Sequence, residues 1–307
     1  MPQPTFVARL EYVHPWPNAA GLFVARHEHL LLDKGIDFEI TFGGYDRGDP
    51  VELLSRGEAD LAVVPPNRLL AARSKGHRVV GVAAINQTAL EAVITTKASG
   101  ITRPRDLVGR RIGLLPSARL EKFLRLIVAK DGGDPDGVVL VYTGGFEGDI
   151  RNVISGEFDA VINIKAWEPL LGGLPPEERV VLPFDEWGAP TYHSYTWAVR
   201  EDTIERNPVL VSTIVNALVE GYRIALVEPQ RAVDALQRNL LNVHPSIIRE
   251  SLALVSPTWT RDGRRWGEFD PKLLESYAQW LVDNGLLASV DPLAGAVTSQ
   301  FIDQAYR

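Results

Sequence analysis

Within the first hundred residues, short β-rich runs alternate with amphipathic helical stretches, a pattern that builds parallel sheets covered by helices. The runs Phe6 to Tyr12, Ile36 to Phe42, Asp60 to Val64, Val79 to Ile85 and Glu91 to Thr96 read as strands. Between them, Asn18 is placed to cap a helix through Leu22, Phe23, Leu30 and Leu31 to a stop at Gly35. A short helix starts at Val51, and Asn67 opens another that ends before Gly76. The fold class expected is α/β.

A second unit of the same kind begins at Pro104, where half a turn of helix, Gly109 and the run from Arg111 to Leu114 follow one another. A helix from Arg119 to Lys130, strands at Val138 to Tyr142, at Asp159 to Ile164 and near Val180, and a helix after Gly145 complete it. From Tyr195 onward the chain reads as helical, with Leu273, Leu274, Tyr277, Trp280 and Leu281 on one helical face. Two lobes are therefore expected, residues 1–88 plus 196–307 and residues 89–195. The chain would cross between them near Gln87–Glu91 and His193–Thr196, with a cleft in which the loops after the strands meet a ligand.

Composition narrows the function. The 32 basic residues against 39 acidic ones give a net charge of -7, which repels nucleic acid. With 45% hydrophobic residues the chain has the material for a large core. Its lack of cysteine excludes disulfides, thiolate metal sites and a cysteine nucleophile. The first residues lack the charged start and apolar stretch of a secretory signal, and no run of about eighteen apolar residues spans a membrane. A cytoplasmic location is expected if Met1 is the native start, and a periplasmic or extracytoplasmic one if a leader has been trimmed.

The candidate ligand contacts all follow strands. His14, Trp16 and Asn18 lie in a proline-stiffened loop suited to a flat or anionic ligand, although Trp16 could equally pack and Asn18 cap. Tyr45 is raised on glycines, and Asn67 and Arg68 follow Pro65-Pro66. Gln87 stands at the first crossing. In the second unit Ser117 is either an N-cap or an oxyanion contact, with Arg119 beside it. Trp167-Glu168 offers a stacking plate and a carboxylate that can accept in-plane N–H groups, as an aminopyrimidine needs. Tyr192, His193 and Tyr195 lie at the second crossing. The remaining histidines make no metal spacing, no metal or cofactor is expected, and GxSxG, Walker, HExxH and GxGxxG signatures are absent.

In order along the chain, Pro17-Asn18-Ala19-Ala20-Gly21-Leu22-Phe23-Val24-Ala25, Leu53-Leu54-Ser55-Arg56-Gly57-Glu58-Ala59-Asp60, Asp106-Leu107-Val108-Gly109-Arg110-Arg111-Ile112-Gly113 and Ser155-Gly156-Glu157-Phe158-Asp159-Ala160 carry a resemblance. So do Asn207-Pro208, Gly221-Tyr222, Ala225 and the closing Trp280 to Leu287. Together they are similar to the periplasmic solute-binding family of ABC transporters that includes alkanesulfonate, nitrate and thiamine-pyrimidine-precursor binders, along with the fungal-type pyrimidine synthase domain. The resemblance implies a two-lobed, type II periplasmic-binding-protein-like fold, each lobe a mainly parallel sheet flanked by helices, with a helical C-terminal tail. It also implies a small organic ligand and a transporter permease as partner.

Among the precursor binders an aromatic followed by glutamate matches Trp167-Glu168, which favours a heteroaromatic ligand. The synthase histidine falls where Arg68 stands, and its cysteine-rich stretch is missing. The aromatic sulfinate desulfinase resembles the chain from Tyr12 to Ala19, its nucleophilic cysteine falling where His14 stands. The leading expectation is a binding protein without catalysis, since no nucleophile and base can be assembled. The alternative is a cytoplasmic enzyme acting on an aromatic acid, sulfinate or pyrimidine, with His14 or His193 as acid or base, and Arg47, Arg68 or Arg119 holding the anion.

Overall fold

A computed structural model describes residues 5–10, 15–42, 48–143, 149–166 and 174–307. The expected contacts His14, Tyr45, Trp167 and Glu168, with Arg47, lie outside the described residues. The chain divides into two compact units, Met1–Thr88 with Tyr192–Arg307, and Ala89–Thr191. Tyr192 to Tyr195 thus belong to the larger unit.

The strands are β1 (Thr5–Arg9), β2 (Asp37–Thr41), β3 (Leu61–Val64), β4 (Val79–Ala84), β5 (Glu91–Thr96), β6 (Arg111–Leu114), β7 (Val139–Tyr142), β8 (Ala160–Ile164), β9 (Arg179–Pro183) and β10 (Thr196–Arg200). The helices of the first half are α1 (Ala20–His27), α2 (Pro50–Arg56), α3 (Pro66–Ser74), α4 (Ala118–Lys130) and α5 (Ile150–Ile154). Those that follow are α6 (Glu201–Arg206), α7 (Pro208–Val227), α8 (Pro229–Gln237), α9 (Pro245–Val255), α10 (Pro271–Asp283) and α11 (Gln300–Ala305).

The larger unit holds a sheet of order β2-β1-β3-β10-β4, and the smaller one of order β7-β6-β8-β5-β9. The orders match: each sheet has one strand, β10 or β5, antiparallel to both neighbours, while the rest run together. Each is therefore a mixed sheet with mainly parallel strands. The odd strand is in each case the one that follows a crossing of the chain between units. Strands β3, β4 and β8 are buried along their whole length, which explains why β3 and β4 read as continuous apolar runs, and β8 as one broken only by Asn163, rather than as alternating strands.

Three local expectations are corrected. Residues 196–200 form β10 rather than the start of the helical tail, because Thr196, Trp197 and Ala198 pair with both β3 and β4 in the interior. Asn18 caps nothing: it lies inside the short 3-10 turn Pro17–Ala19, and the helix beyond it ends at His27, with His29 left-handed at φ 56°. Asn67 does not open α3 either; Pro65 is its N-cap and Pro66 its first residue, where a missing N–H costs nothing.

Helix α7 is long and apolar enough, at mean hydropathy 1.5, to cross a membrane by length and composition, the one such helix among the described residues. It is a core helix of the larger unit, burying Val211, Ile214, Val215, Leu218 and Tyr222. Its contact with α1 relies on two glycines: a Cβ on Gly221 would lie 2.1 Å from the Gly21 carbonyl oxygen, and one on Gly21 would lie 2.0 Å from the Tyr222 ring.

Candidate functional site: the carboxyl edges of the two sheets

In the larger unit the ends of β1, β3 and β4 and the start of β10 share one edge. Thr196 pairs with Val64 and with Ala84, the last residues of β3 and β4, and its hydroxyl donates to the Val64 carbonyl at 2.9 Å. The ladder runs on past the strands, since Ile85 N–H donates to Tyr195 C=O at 2.8 Å and the Ser194 hydroxyl to Thr88 C=O at 3.1 Å.

Trp16 and Tyr195 meet at this edge, their rings 6.2 Å apart and edge to face at 74°. Both are buried, Trp16 completely. Asn18 is also completely buried. Its Nδ2 donates to Asn86 Oδ1 at 3.0 Å, and its Oδ1 accepts from Asn86 Nδ2 at 2.8 Å and from Trp259 Nε1 at 3.1 Å. Tyr222 donates its hydroxyl to the Asn18 carbonyl at 2.6 Å. Such a set of satisfied buried groups fixes a loop in one conformation. The role expected for Asn18 as a ligand contact gives way to a structural one.

Asn86 links this cluster to both crossings. Its Nδ2 also donates to Thr258 Oγ1 at 2.8 Å, and its carbonyl faces His193 Nδ1 at 2.9 Å. Gln87 N–H donates to Thr258 C=O at 2.6 Å and Gln87 Nε2 to Glu268 C=O at 2.7 Å, while its buried Oε1 has no partner among the described residues. Gln87 is wholly buried and ties the crossing to the tail.

His193, expected as acid or base in the enzymatic alternative, is corrected to a structural residue. It is 1% exposed, and Asp270 N–H donates to its Nε2 at 3.0 Å. A carbonyl can only accept and an amide N–H can only donate, so the ring is neutral with its proton on Nδ1. Burial holds its pKa below the ordinary histidine value, against the opposing pull of the Asn86 hydrogen bond and of Asp270. Both nitrogens are engaged, leaving none for proton transfer to a ligand.

Tyr192 does not join Trp16 and Tyr195; it stacks on Tyr277 of α10 at 4.2 Å and 9°. Asn67 is half-buried near the start of α3, and the exposed Arg68 next to it is 3.2 Å from Asp49. Asn86, Thr258 and Arg9 escaped the sequence reading. Arg9 ends β1, is 5% exposed and donates from Nη2 to Gly48 C=O at 3.3 Å. A cation closing an apolar strand marks Arg9, and an asparagine after the apolar run that ends at Ile85 marks Asn86.

In the smaller unit, Glu91 at the start of β5 pairs with Ile164 at the end of β8, so the antiparallel strand brings its first residue to the carboxyl edge. Ser117 caps α4 through Leu120 N–H at 3.4 Å. Arg119 Nη2 donates to Glu91 Oε1 at 2.7 Å, and its guanidinium stands 5.5 Å from the centre of the Phe123 ring. The ion pair brings Arg119 beside a carboxylate that the sequence reading passed over. Asn163, 5% exposed, interrupts the apolar strand β8 one residue before its end, and its Oδ1 accepts from Ile164 N–H at 2.6 Å. Among the described residues no cluster of histidine and carboxylate side chains is arranged to hold a metal ion. The larger unit's edge carries aromatic rings and amides, and the smaller unit's edge a ring, an amide and an ion pair, which are group types used to bind small polar molecules.

Comparison with known proteins agrees with this architecture. The chain is 27% identical over 274 residues to the formylaminopyrimidine-binding protein of Halalkalibacterium halodurans, spanning 87% of this chain and 82% of that one. Its fold matches the periplasmic aliphatic sulphonate binding protein SsuA of Escherichia coli with a TM-score of 0.72 at 14% identity, over 97% of this chain and 93% of that one. It also matches the desulfurization enzyme DSZB with a TM-score of 0.67 at 19% identity, over 98% of each. The fold is that of the periplasmic binding proteins. The model of the family described as NMT1/THI5 like matches residues 16–232, most of the chain, and the protein belongs to that family.

Proposed function

We propose that the protein is a solute-binding component of an ABC importer that captures a small heteroaromatic ligand of the aminopyrimidine type. The observation that carries this reading is the 27% identity to a formylaminopyrimidine-binding protein, sustained along 87% of the chain. The carboxyl-edge chemistry supports it: the buried packing of Trp16 on Tyr195 and the polar cluster around Asn86 hold the loops of the edge rigid, which lowers the entropic cost of binding. In this reading Trp167 stacks on the ligand and Glu168 accepts its ring N–H groups, with His14, Tyr45, Asn67, Ser117 and Arg119 as further contacts. The protein works outside the cytoplasm and hands its ligand to a permease.

The engaged nitrogens of His193 weigh against the enzymatic alternative that relied on it. A thermal-shift panel of formylaminopyrimidine, riboflavin, taurine and an aromatic sulfinate tests the reading. A ligand at about a hundred times its dissociation constant adds roughly 2.7 kcal/mol, a shift of several degrees. Stabilisation by formylaminopyrimidine is the expected result. Stabilisation by the sulfinate or taurine alone would replace the ligand class.

A further inference from the structure

The ion pair at the carboxyl edge of the smaller unit is built for selectivity by charge. Arg119 is the second residue of α4, which follows β6, and Glu91 opens β5, so two separate elements deliver the cation and the anion to one place. They are 2.7 Å apart, with 16% and 14% of their side chains accessible. Phe123, one turn further along α4, covers the guanidinium from the side. Pairs this sheltered interact more strongly than exposed ones, because solvent and salt screen them less.

Sulfonates, sulfinates and carboxylates need a cation whose charge is available to them. An anion approaching Arg119 finds Glu91 already holding it and adds a second negative charge to the same spot, which is unfavourable. A neutral heterocycle bearing an exocyclic amine meets the opposite situation, since the Glu91 carboxylate is an acceptor for its N–H groups. We infer that Glu91 is the charge-selecting residue of the ligand site: by occupying Arg119 it rejects small anions and admits neutral, amine-bearing heteroaromatic molecules. This inference rests on the reading of the protein as a solute-binding protein and adds to it the residue that decides between ligand classes.

The test is a calorimetric titration of the full chain, wild type and Glu91→Gln, with benzenesulfonate and with formylaminopyrimidine. Glutamine keeps the size and one acceptor but releases the Arg119 charge. Glu91→Gln is expected to bind benzenesulfonate about tenfold or more tighter than wild type, with the gain shrinking as salt is raised. Glu91→Gln combined with Arg119→Met is expected to lose the gain. Glu91→Ala serves as the second variant should the glutamine fold poorly, and the same gain is expected from it. Unchanged benzenesulfonate affinity in both single variants, or a gain that survives removal of Arg119, overturns the assignment. The comparison is read on benzenesulfonate, so a wild type that ignores formylaminopyrimidine refutes the proposed ligand class without deciding the role of Glu91.

Discussion

Asn18 and Asn86 turn their amides toward each other and exchange two hydrogen bonds, at 3.0 and 2.8 Å, with both residues sealed from solvent. One stands in the loop after the first strand and the other at the end of the fourth, where the chain is about to leave the larger unit. The exchange locks the loop that carries Trp16 to the segment through which the chain crosses. His193 and Thr258 fasten the same segment to the return crossing and to the tail.

Replacing Asn86 with Ala removes, in the interior, the acceptor of Asn18 Nδ2 and the donor that both Asn18 Oδ1 and Thr258 Oγ1 accept from. A loss of about 2–4 kcal/mol is expected, read as a lower urea midpoint at unchanged slope. The double replacement of Asn18 and Asn86 with Ala should cost less than the sum of the singles, because the two share their hydrogen bonds.

Acid should loosen the larger unit through His193. Its native pKa is lowered by burial, so between that value and the ordinary value of about 6.5 the unfolded chain binds the proton that the native chain excludes. Stability therefore rises with pH through this window, levels off above it, and falls as pH drops below about 6.5. Thermal midpoints from pH 5 to pH 8 measure the trend. A His193→Gln variant, with no titrating ring, should be less stable at pH 7 but show a shallower decline toward acid.

Close approach of α1 and α7 leaves no room for a methyl group at Gly221. Gly221→Ala would push a carbon to 2.1 Å from the Gly21 carbonyl oxygen, a distance that backbone must move to relieve. A loss of at least about 1–3 kcal/mol is expected in thermal unfolding followed by circular dichroism. The displacement also carries Tyr222, whose hydroxyl holds the Asn18 carbonyl, so ligand affinity should fall with it.

Much of the fold was legible because its signals are local. The strand from Glu91 to Thr96 follows from its short β-branched apolar run, the helix ending at Lys130 from periodicity, and the Ser117 cap from its residue type. The run from Thr196 to Arg200 was not, since its four buried residues, Thr196 to Val199, carry no period and gain their identity from pairing with distant β3 and β4. The site divides in the same way. Loops after strands could be named from sequence, but Asn18 finds its partners 68, 204 and 241 residues away in Asn86, Tyr222 and Trp259, and no local pattern encodes that. His193 read as a candidate base for the same reason: the two backbone groups that engage it come from Asn86 and Asp270.

The most direct test of the central claim mixes the protein with an equimolar amount of formylaminopyrimidine, weighs the complex by native mass spectrometry, then denatures it and weighs what is released. The account predicts one ligand per chain, released with its mass unchanged after prolonged incubation. Absence of a complex, or release of a chemically altered molecule, would contradict it.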